Sequence, residues 1–337
     1  MADVFTDTTT SGRLGVNLVT LAYDKLIETN LRVLPKFREI ADKKVGSLTH
    51  NGSSIRFQFN TDIADTTVAG ATLEETVDPD SVALPATSYV DVAAVELGRS
   101  VLPVKKINLM SIANIDPWVA NAVGFNMTKT LDNAIVAKLN AGANIVRVST
   151  ASSVQSVTNV YEGVGTVAAK TAITSADTMK SAAIRTAVTK MRAQGVQYKS
   201  AGMYVAYIHP EVSADLRTET GNNVWRTPHE YQNAAPLYGG ETGSWEGVRF
   251  IETANATNSQ SGSGSSTTQT RVYNTYVVGA QALAEAVWKE PGMEVGVVQD
   301  RFNRFNPVGW YGIINWALYR TPALVRIETA ASGRPNA

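Results

Sequence analysis

An α+β fold is what the sequence predicts, and three patterns carry that expectation. Apolar residues recur at helical spacing over 116–142, whereas 55–59, 204–208 and 271–278 read as strands. The chain has 337 residues, 44% of them apolar and 8% aromatic, so a packed core is expected rather than wholesale disorder. That length suits one large domain or two ordinary ones.

Residues 1–15 read as a flexible polar arm. Over 18–34 the apolar positions keep a helical spacing that Pro35 interrupts. Ile55, Phe57 and Phe59 then alternate with Arg56, Gln58 and Asn60, the pattern of a half-buried strand. An acidic, turn-rich stretch at 73–80 (LEETVDPD) precedes a second β-type run at 89–97. Strands this far apart suggest a long, projecting hairpin rather than a tight one.

The clearest helix is 116–142. Asp116 suits the N-cap and Pro117 the first helical position. Val123, Met127, Leu131, Ile135 and Leu139 recur every four residues, and Gly142 is placed to end the run. About twenty-five residues at ~1.5 Å each make a rod of roughly 37 Å. A second helix is expected over 176–194, with Thr174 and Asp177 at capping-box spacing and Gly195 as its stop. A buried strand at 204–208 leads into a short helix at 211–219, with Pro210 at its start. Strands follow at 248–251 and 271–278, with a polar flexible loop at 255–269 between them. The final strands are 293–298 and 310–327, and no internal repeat is visible.

Charged residues are only 18% of the chain and the formal net charge is +0. Both lean toward surface used in association, and against a dominant electrostatic attraction to nucleic acid or anionic lipid. There is no cysteine, which excludes disulfides, thiolate catalysis and cysteine zinc sites. The polar start lacks an apolar signal core, so Sec export is not expected. No apolar run approaches the ~20 residues of a membrane helix.

The stretch 203–253 is where an active site would be sought. It holds His209 and His229, two of the three histidines, together with Trp225 and Trp245. His50 sits in a turn-like LTHNGSS. None has the HExxH spacing that puts two ligands on one helical face, although His229, Glu230 and Glu241 could in principle share a metal. A structural hydrogen-bonding role is the better reading of each histidine. There is no GxSxG elbow and no GxxxxGK[ST] phosphate loop. Gly239, Gly240 and Gly243 read as a tight turn. The acidic group Glu74, Glu75, Asp78 and Asp80 lacks the alternating ligands of a calcium loop and reads as a solvated tip or a charged contact for a neighbouring subunit. The pairs Lys43–Lys44 and Lys105–Lys106 read as solvated surface. Trp310, Tyr311 and Trp316 lie on a strand pattern and read as core or interface. No catalytic, cofactor-binding or metal residue is assigned, and no cofactor is expected.

Six segments together carry a resemblance that spans nearly the whole chain: LVTLAYDKL (18–26), TLEETVDPDSVAL (72–84), DPWVANAVG (116–124), YVAYIHPEVSADLRTETG (204–221), WRTPHEYQNAAPLYGGETGSWEGVRFIET (225–253) and GIINWALYRTPALVRIET (312–329). Each is weak alone, but their order and spacing are specific. The chain resembles the major capsid proteins of tailed bacteriophages, with the Hong Kong 97-type fold, in the N-four-type group. The resemblance implies an N-terminal arm at 1–44, an extended β-loop at 45–104 and a peripheral domain with a spine helix at 105–142. It further implies a mainly axial domain at 143–300 and C-terminal strands at 301–337 that return to the peripheral and axial domains.

What the resemblance implies for function is a shell protein, not an enzyme. Copies would assemble into hexamers and pentamers of an icosahedral head around double-stranded DNA, in the bacterial host cytoplasm. The partners implied are copies of itself and non-specific contact with packaged DNA, with room for scaffolding, portal and decoration proteins and none for a membrane. Some proteins of this fold lock neighbours through an isopeptide bond from an extended-loop lysine. Here no lysine occurs between Lys44 and Lys105, so no such cross-link is expected from this loop. The arm is short and polar, so an internal scaffold cleaved from this chain is not expected. The rival readings are an encapsulin-like protein compartment, a hydrolase using His209 or His229, and a tail or adhesin protein.

Overall fold

The computed structural model describes residues 32–45, 52–60, 62–63, 72–73, 75, 78, 82–110, 116–149, 156–160, 170–200, 202–218, 241–260, 262, 269–297, 302, 304–305 and 307–333. The helix expected at 18–34 lies almost wholly outside them. The chain divides into two compact units: a smaller one of 1–32, 99–126 and 293–310, and a larger one of 33–98, 127–292 and 311–337.

The described elements begin with a 3-10 turn at Phe37–Ile40, strand β1 (Asp42–Val45), the strands β2 (Ser54–Phe59) and β3 (Ser88–Ala93), and β4 (Glu96–Val101). Helices α1 (Lys105–Met110) and α2 (Asp116–Asn140) precede β5 (Ile145–Ser149) and β6 (Ser156–Val160). Helix α3 (Ser181–Ala193), β7 (Tyr204–Ile208) and α4 (Pro210–Thr218) follow. The remainder is β-rich: β8 (Glu241–Trp245), β9 (Val248–Glu252), β10 (Asn258–Gln260), β11 (Arg271–Val278), β12 (Leu283–Val295), β13 (Val308–Leu318) and β14 (Leu324–Thr329).

The larger unit is organised by an eight-stranded mixed sheet in the order β6-β5-β14-β11-β7-β9-β8, with β10 on β11. β7 and β9 run parallel, as do β5 and β14, and β11 is antiparallel to both β7 and β14. β7 shows how the sequence builds this centre. All five of its residues are buried, because side chains alternate across the sheet and both faces are covered. Tyr204, Ala206 and Ile208 pack with Ile184, Val188 and Met191 of α3 and Val212 and Leu216 of α4. Val205 and Tyr207 pack on the opposite face with Leu131, Ile135 and Leu139 of α2. A second sheet, β1-β12-β13-β4, continues the α2-side core through Leu283, Val287, Ile314 and Trp316.

The expected helices form with shifted limits. α2 runs 25 residues from Asp116 to Asn140. Gly142 lies just beyond it, where a Cβ would stand 2.9 Å from Leu324 Cδ2. α3 begins at Ser181, five residues later than the sequence suggests. The Asp177 carboxylate does accept the Thr174 backbone N–H, at 2.7 Å, but this closes a separate turn. Thr178 then bridges to Ala330 and Asp177 O accepts the Ala330 N–H at 2.8 Å, which holds the chain extended ahead of the helix. Gly195 ends α3 at φ +68°, with Gly195 N–H bonded to Arg192 O and Val196 N–H to Met191 O, a Schellman closure.

Three strand expectations need correction. Part of the loop at 255–269 is strand, because β10 pairs with β11 through Asn258–Tyr273 and Gln260–Arg271. Of the strand expected at 293–298, residues 293–295 are the end of β12, which starts at Leu283. The run 310–327 is two strands split by a 3-10 turn at Thr321–Ala323, where Pro322 removes a ladder donor.

Candidate functional site

The cluster around His209 is where the sequence places a possible chemistry. His209 follows β7, and its ring lies tilted against that of Tyr273 of β11, with centroids 4.9 Å apart. Its Nδ1 accepts the Glu211 N–H at 3.3 Å, and the Tyr273 hydroxyl donates to the Glu211 carboxylate. Ser213 donates its hydroxyl to Glu252 Oε1 at 2.5 Å, and Arg217 pairs with the same oxygen at 2.9 Å. Burial pushes the His209 imidazole down from its ordinary 6.5, against the pull of Glu211. The Ser213 hydroxyl is thus hydrogen-bonded to a carboxylate that Arg217 also holds. These contacts tie the start of α4 to β9 and β11.

His50, His229 and Glu230 lie outside the described residues. Glu241 opens β8, and Gly243 lies within it. Glu75 and Asp78 are exposed, while Glu74 and Asp80 lie outside the described residues. Among the described residues no group of three histidine or carboxylate side chains could hold a metal. No helix among them is long and apolar enough to cross a membrane.

The residues that the sequence did not single out are those that fasten the segment 33–45. Phe37 is fully buried against Tyr207 and Tyr276, with ring centroids at 5.2 and 5.7 Å. Its backbone N–H donates to Asp132 Oδ1 at 2.8 Å, and Asn255 donates to Asp132 Oδ2 at 2.9 Å. Burial pushes the Asp132 carboxyl up, and these two donors pull it back only in part. Arg38 reaches Glu285 at 2.7 Å and Glu290 at 2.6 Å, and Trp316 Nε1 donates to Glu285 at 3.0 Å. Lys43, exposed like the surface lysine the sequence suggests, pairs with the half-exposed Glu290 at 2.8 Å. Burial pushes Glu290 up, but Lys43 and Arg38 outweigh it and hold the carboxyl below its ordinary range. Lys199 closes the clasp on Ile40 O at 2.8 Å and Asp42 at 2.9 Å. The segment is a strap bound by buried carboxylates and a backbone donor.

β2 and β3 pair antiparallel from Ser54–Ala93 to Phe59–Ser88. Ile55, Phe57 and Val92 face Ala284, Ala286, Trp288, Ala317 and Tyr319 of the second sheet. The outer face carries a bidentate Arg56–Asp91 pair at 2.7 and 2.8 Å, and Arg56 lies 3.8 Å above the Tyr89 ring. A cavity of about 700 Å³ is lined by Phe59, Val196, Gln197, Gln281, Tyr319 and Arg320.

The C-terminal end of α2 is fixed by a polar hub. Asn140 Oδ1 accepts from Asn274 at 2.8 Å and Tyr276 at 2.7 Å, and its Nδ2 donates to Thr257 at 3.0 Å. Arg326 donates to the Asn140 carbonyl, a cation at the negative end of the helix dipole. Glu328 joins Arg326 at 3.1 Å and Arg147 at 2.6 Å. In the smaller unit, Arg32 donates to Asn121 Oδ1 at 2.9 Å and covers the Phe125 ring, and Trp310 donates to Asn126 at 3.1 Å. Trp310 and Trp316 are both buried, as the strand pattern predicts. Within the larger unit, these polar groups fasten the strap, the β2–β3 pair and the C-terminal end of α2.

The class of the protein comes from comparison with known proteins. A family model described as phage capsid protein matches residues 43–311. No curated protein matches by sequence. Among solved structures, the capsid of Ralstonia phage GP4 superposes with a TM-score of 0.70 at 14% identity, over 97% of this chain and 98% of that one. The Cyanophage Pam1 capsid gives 0.68 at 14% identity, over 96% and 99%. A chain of Mycobacterium phage Che8 gives 0.61 at 13% identity, over 92% and 97%. At such identities the likeness is one of fold. The chain belongs to the phage capsid protein family. It is a major capsid protein, a structural subunit of the bacteriophage virion that forms an icosahedral shell.

Proposed function

We propose that the chain builds this shell in the Hong Kong 97-type manner, as a member of the N-four-type group, through hexamers and pentamers around double-stranded DNA. In this reading 1–44 is the arm, 45–104 the extended loop, 105–142 the peripheral domain with its spine helix, 143–300 mainly the axial domain, and 301–337 the returning strands. The observation that supports it most is the fold-wide likeness to a phage capsid over 97% of the chain. The strap, the β2–β3 pair and α2 are the local features that fit it.

The work of such a subunit is free energy of association. Each interface must exceed about 1,000 Å² to be specific. Many modest contacts, repeated by symmetry, let misplaced subunits leave and still close a durable shell. The absence of a basic motif fits an inner face without sequence-specific DNA contacts. Assembly takes place in the host cytoplasm, with scaffolding, portal and decoration proteins as further partners, and the chain itself performs no catalysis.

Electron microscopy of the purified chain, alone and with its companion phage proteins, tests this. Closed shells of hexamers and pentamers are expected. A monomer at high concentration under both conditions would sink the reading, and shells filled with protein cargo rather than DNA would move it to an encapsulin-like compartment. Denaturing gels of mature particles should show no covalent ladder that maps to 45–104.

A further inference from the structure

We propose that the eight-stranded sheet of the larger unit binds an oxyanion of the phosphate class, on its α2-side face beyond the C-terminal end of α2, through Lys170, Arg147, Arg326 and Asn274. The strand registers put the sheet residues side by side. Arg147 of β5 stands opposite Glu328 of β14, and Glu328 stands opposite Asn274 of β11. Arg326 lies two residues before Glu328 and so on the same face. A 3-10 turn at Lys170–Ala172 brings in the third cation. Ile173 seats that turn on Val272 of β11 and on Ala330, just beyond β14. Lys170 Nζ then donates to Ser259 Oγ of β10 at 2.9 Å.

The charges of this cluster do not balance. Glu328 is 1% exposed and its carboxylate is shared, with Arg147 Nε donating to Oε2 at 2.6 Å and Arg326 Nε to Oε1 at 3.1 Å. With Lys170, three cations among the described residues meet one carboxylate, an excess of two positive charges. Arg326 is itself 8% exposed, and its further contact, the Asn140 carbonyl, is neutral. Buried charge of one sign is costly unless it is matched. Lys170 feels the mismatch: burial pushes its ammonium below its ordinary value, Glu328 pulls it up, and Arg326 and Arg147 push it down again. An acceptor without a donor is the second observation. Asn274 is 3% exposed and gives its Nδ2 to Asn140, but its Oδ1 is buried and meets no donor among the described residues. Monohydrogen phosphate answers both needs. It carries two negative charges, oxygens that accept from the ammonium and guanidiniums, and one O–H to donate to Asn274 Oδ1.

Calorimetric titration of the unassembled full chain with inorganic phosphate at neutral pH tests this, with sulfate and chloride at matched ionic strength as comparisons. One phosphate per chain should bind. Sulfate has the charge but no O–H and should bind about tenfold more weakly, because Asn274 Oδ1 stays without a donor. Lys170→Gln should keep the circular dichroism of the phosphate-free chain and weaken phosphate binding by about tenfold or more. Phosphorus NMR of phosphate with the unsubstituted chain reads the site without any variant, and the resonance should broaden. A DNA oligonucleotide without terminal phosphates separates the two sources of this chemistry: displacement of phosphate assigns the site to a nucleic-acid backbone, and no displacement assigns it to the free ion. Sulfate binding as tight as phosphate, or full phosphate affinity in Lys170→Gln, overturns the proposal. So does a phosphate resonance that the unsubstituted chain leaves sharp, whatever the variant does.

Discussion

The two compact units differ in how much apolar surface they bury: among the described residues each leaves nine large apolar side chains exposed, but the larger one holds the extended cores. In the larger one, β7 is buried on both faces and its side chains divide between two cores. Carboxylates that would otherwise face water, Asp132 and Glu285, are turned inward and matched to donors. In the smaller one, large side chains such as Leu109 and Val297 stay open. The difference teaches where folding ends and association begins. Residues that complete a core cannot also be offered to a neighbour, so a shell subunit must separate the two tasks along its chain.

The largest test of this contrast sets Ile135 against Val297. Ile135 is fully buried between α2 and the sheet, so Ile135→Ala should cost the isolated subunit about 3 to 4 kcal/mol. Val297→Ala should leave the denaturation midpoint within error, because its side chain is already in water. Equal destabilisation by both would erase the distinction.

Next is the strap. Glu285 is 2% exposed and joins Arg38 and Trp316, so Glu285→Ala removes the acceptor of the Trp316 indole N–H and one of the two carboxylates that hold Arg38. A loss of about 2 to 3 kcal/mol is expected, at the low end for a broken buried pair because Arg38 keeps Glu290 and some water. Chemical denaturation measures it, and a change below 1 kcal/mol would mean that the strap is fastened by Phe37 alone.

A smaller loss follows at Gly195, whose φ of +68° an alanine adopts only with strain. Gly195→Ala should cost about 1 kcal/mol, while Gly142→Ala tests close approach instead and should shift Leu324. Equal tolerance of alanine at both would show that neither helix end is constrained.

Long periodic segments were legible in the sequence, and short or paired ones were not. The stripe Val123 to Leu139 and the cap at Asp116 gave α2 within two residues, because helix signals are local. β1 was invisible because its four residues, Asp42–Val45, hold no apolar alternation and form only by parallel pairing with β12. β10 hid in a polar loop for the same reason. Asp132 and Glu285 looked like ordinary charged residues, since their partners lie 95 and 247 positions away. The shell function could be read, but only through six dispersed segments taken together. The strap's anchors could not be read, apart from one weak signal: Lys43, Lys44 and Arg38 crowd a stretch that Phe37 and Ile40 make apolar.

Titration separates the two kinds of buried acid and base. Burial raises Asp132, so the fold holds its proton more tightly than the unfolded chain does. Its contribution therefore falls as pH rises from the ordinary 3.8 through the folded value, and Asp132→Asn should flatten that limb. Burial lowers His209, with Glu211, Glu252 and Arg271 as the charges around it. Its contribution is fully present above 6.5 and is lost as pH falls through the folded value, so His209→Gln should reduce the acid sensitivity of the melting temperature. An unchanged pH profile in both variants would assign the acid limb to other groups.

The smallest effect belongs to Arg56, and it sharpens the comparison most finely. Arg56 and Asp91 form a bidentate pair as short as that of Arg38 and Glu285, at 2.7 Å in each case. Hydrogen bonding from Arg56 holds the Asp91 carboxyl below its ordinary range. Yet both side chains stand in solvent on the outer face of the β2–β3 pair, at 49% and 38% exposure. Water competes for each charge, salt screens them, and ordering two long side chains costs entropy. Arg56→Gln should thus leave the subunit's melting temperature unchanged within error at 0.15 M salt, where the screening length is about 8 Å. The same ion-pair chemistry at the same distance should matter at Glu285, which is buried and also accepts from Trp316, and not at the exposed Asp91. Because the pair and Tyr89 lie on a face that the subunit's own core does not use, any effect of Arg56→Gln should be read in shell yield and its salt dependence. A drop in subunit stability instead would show that the hairpin depends on its outer face as well as on Ile55, Phe57 and Val92.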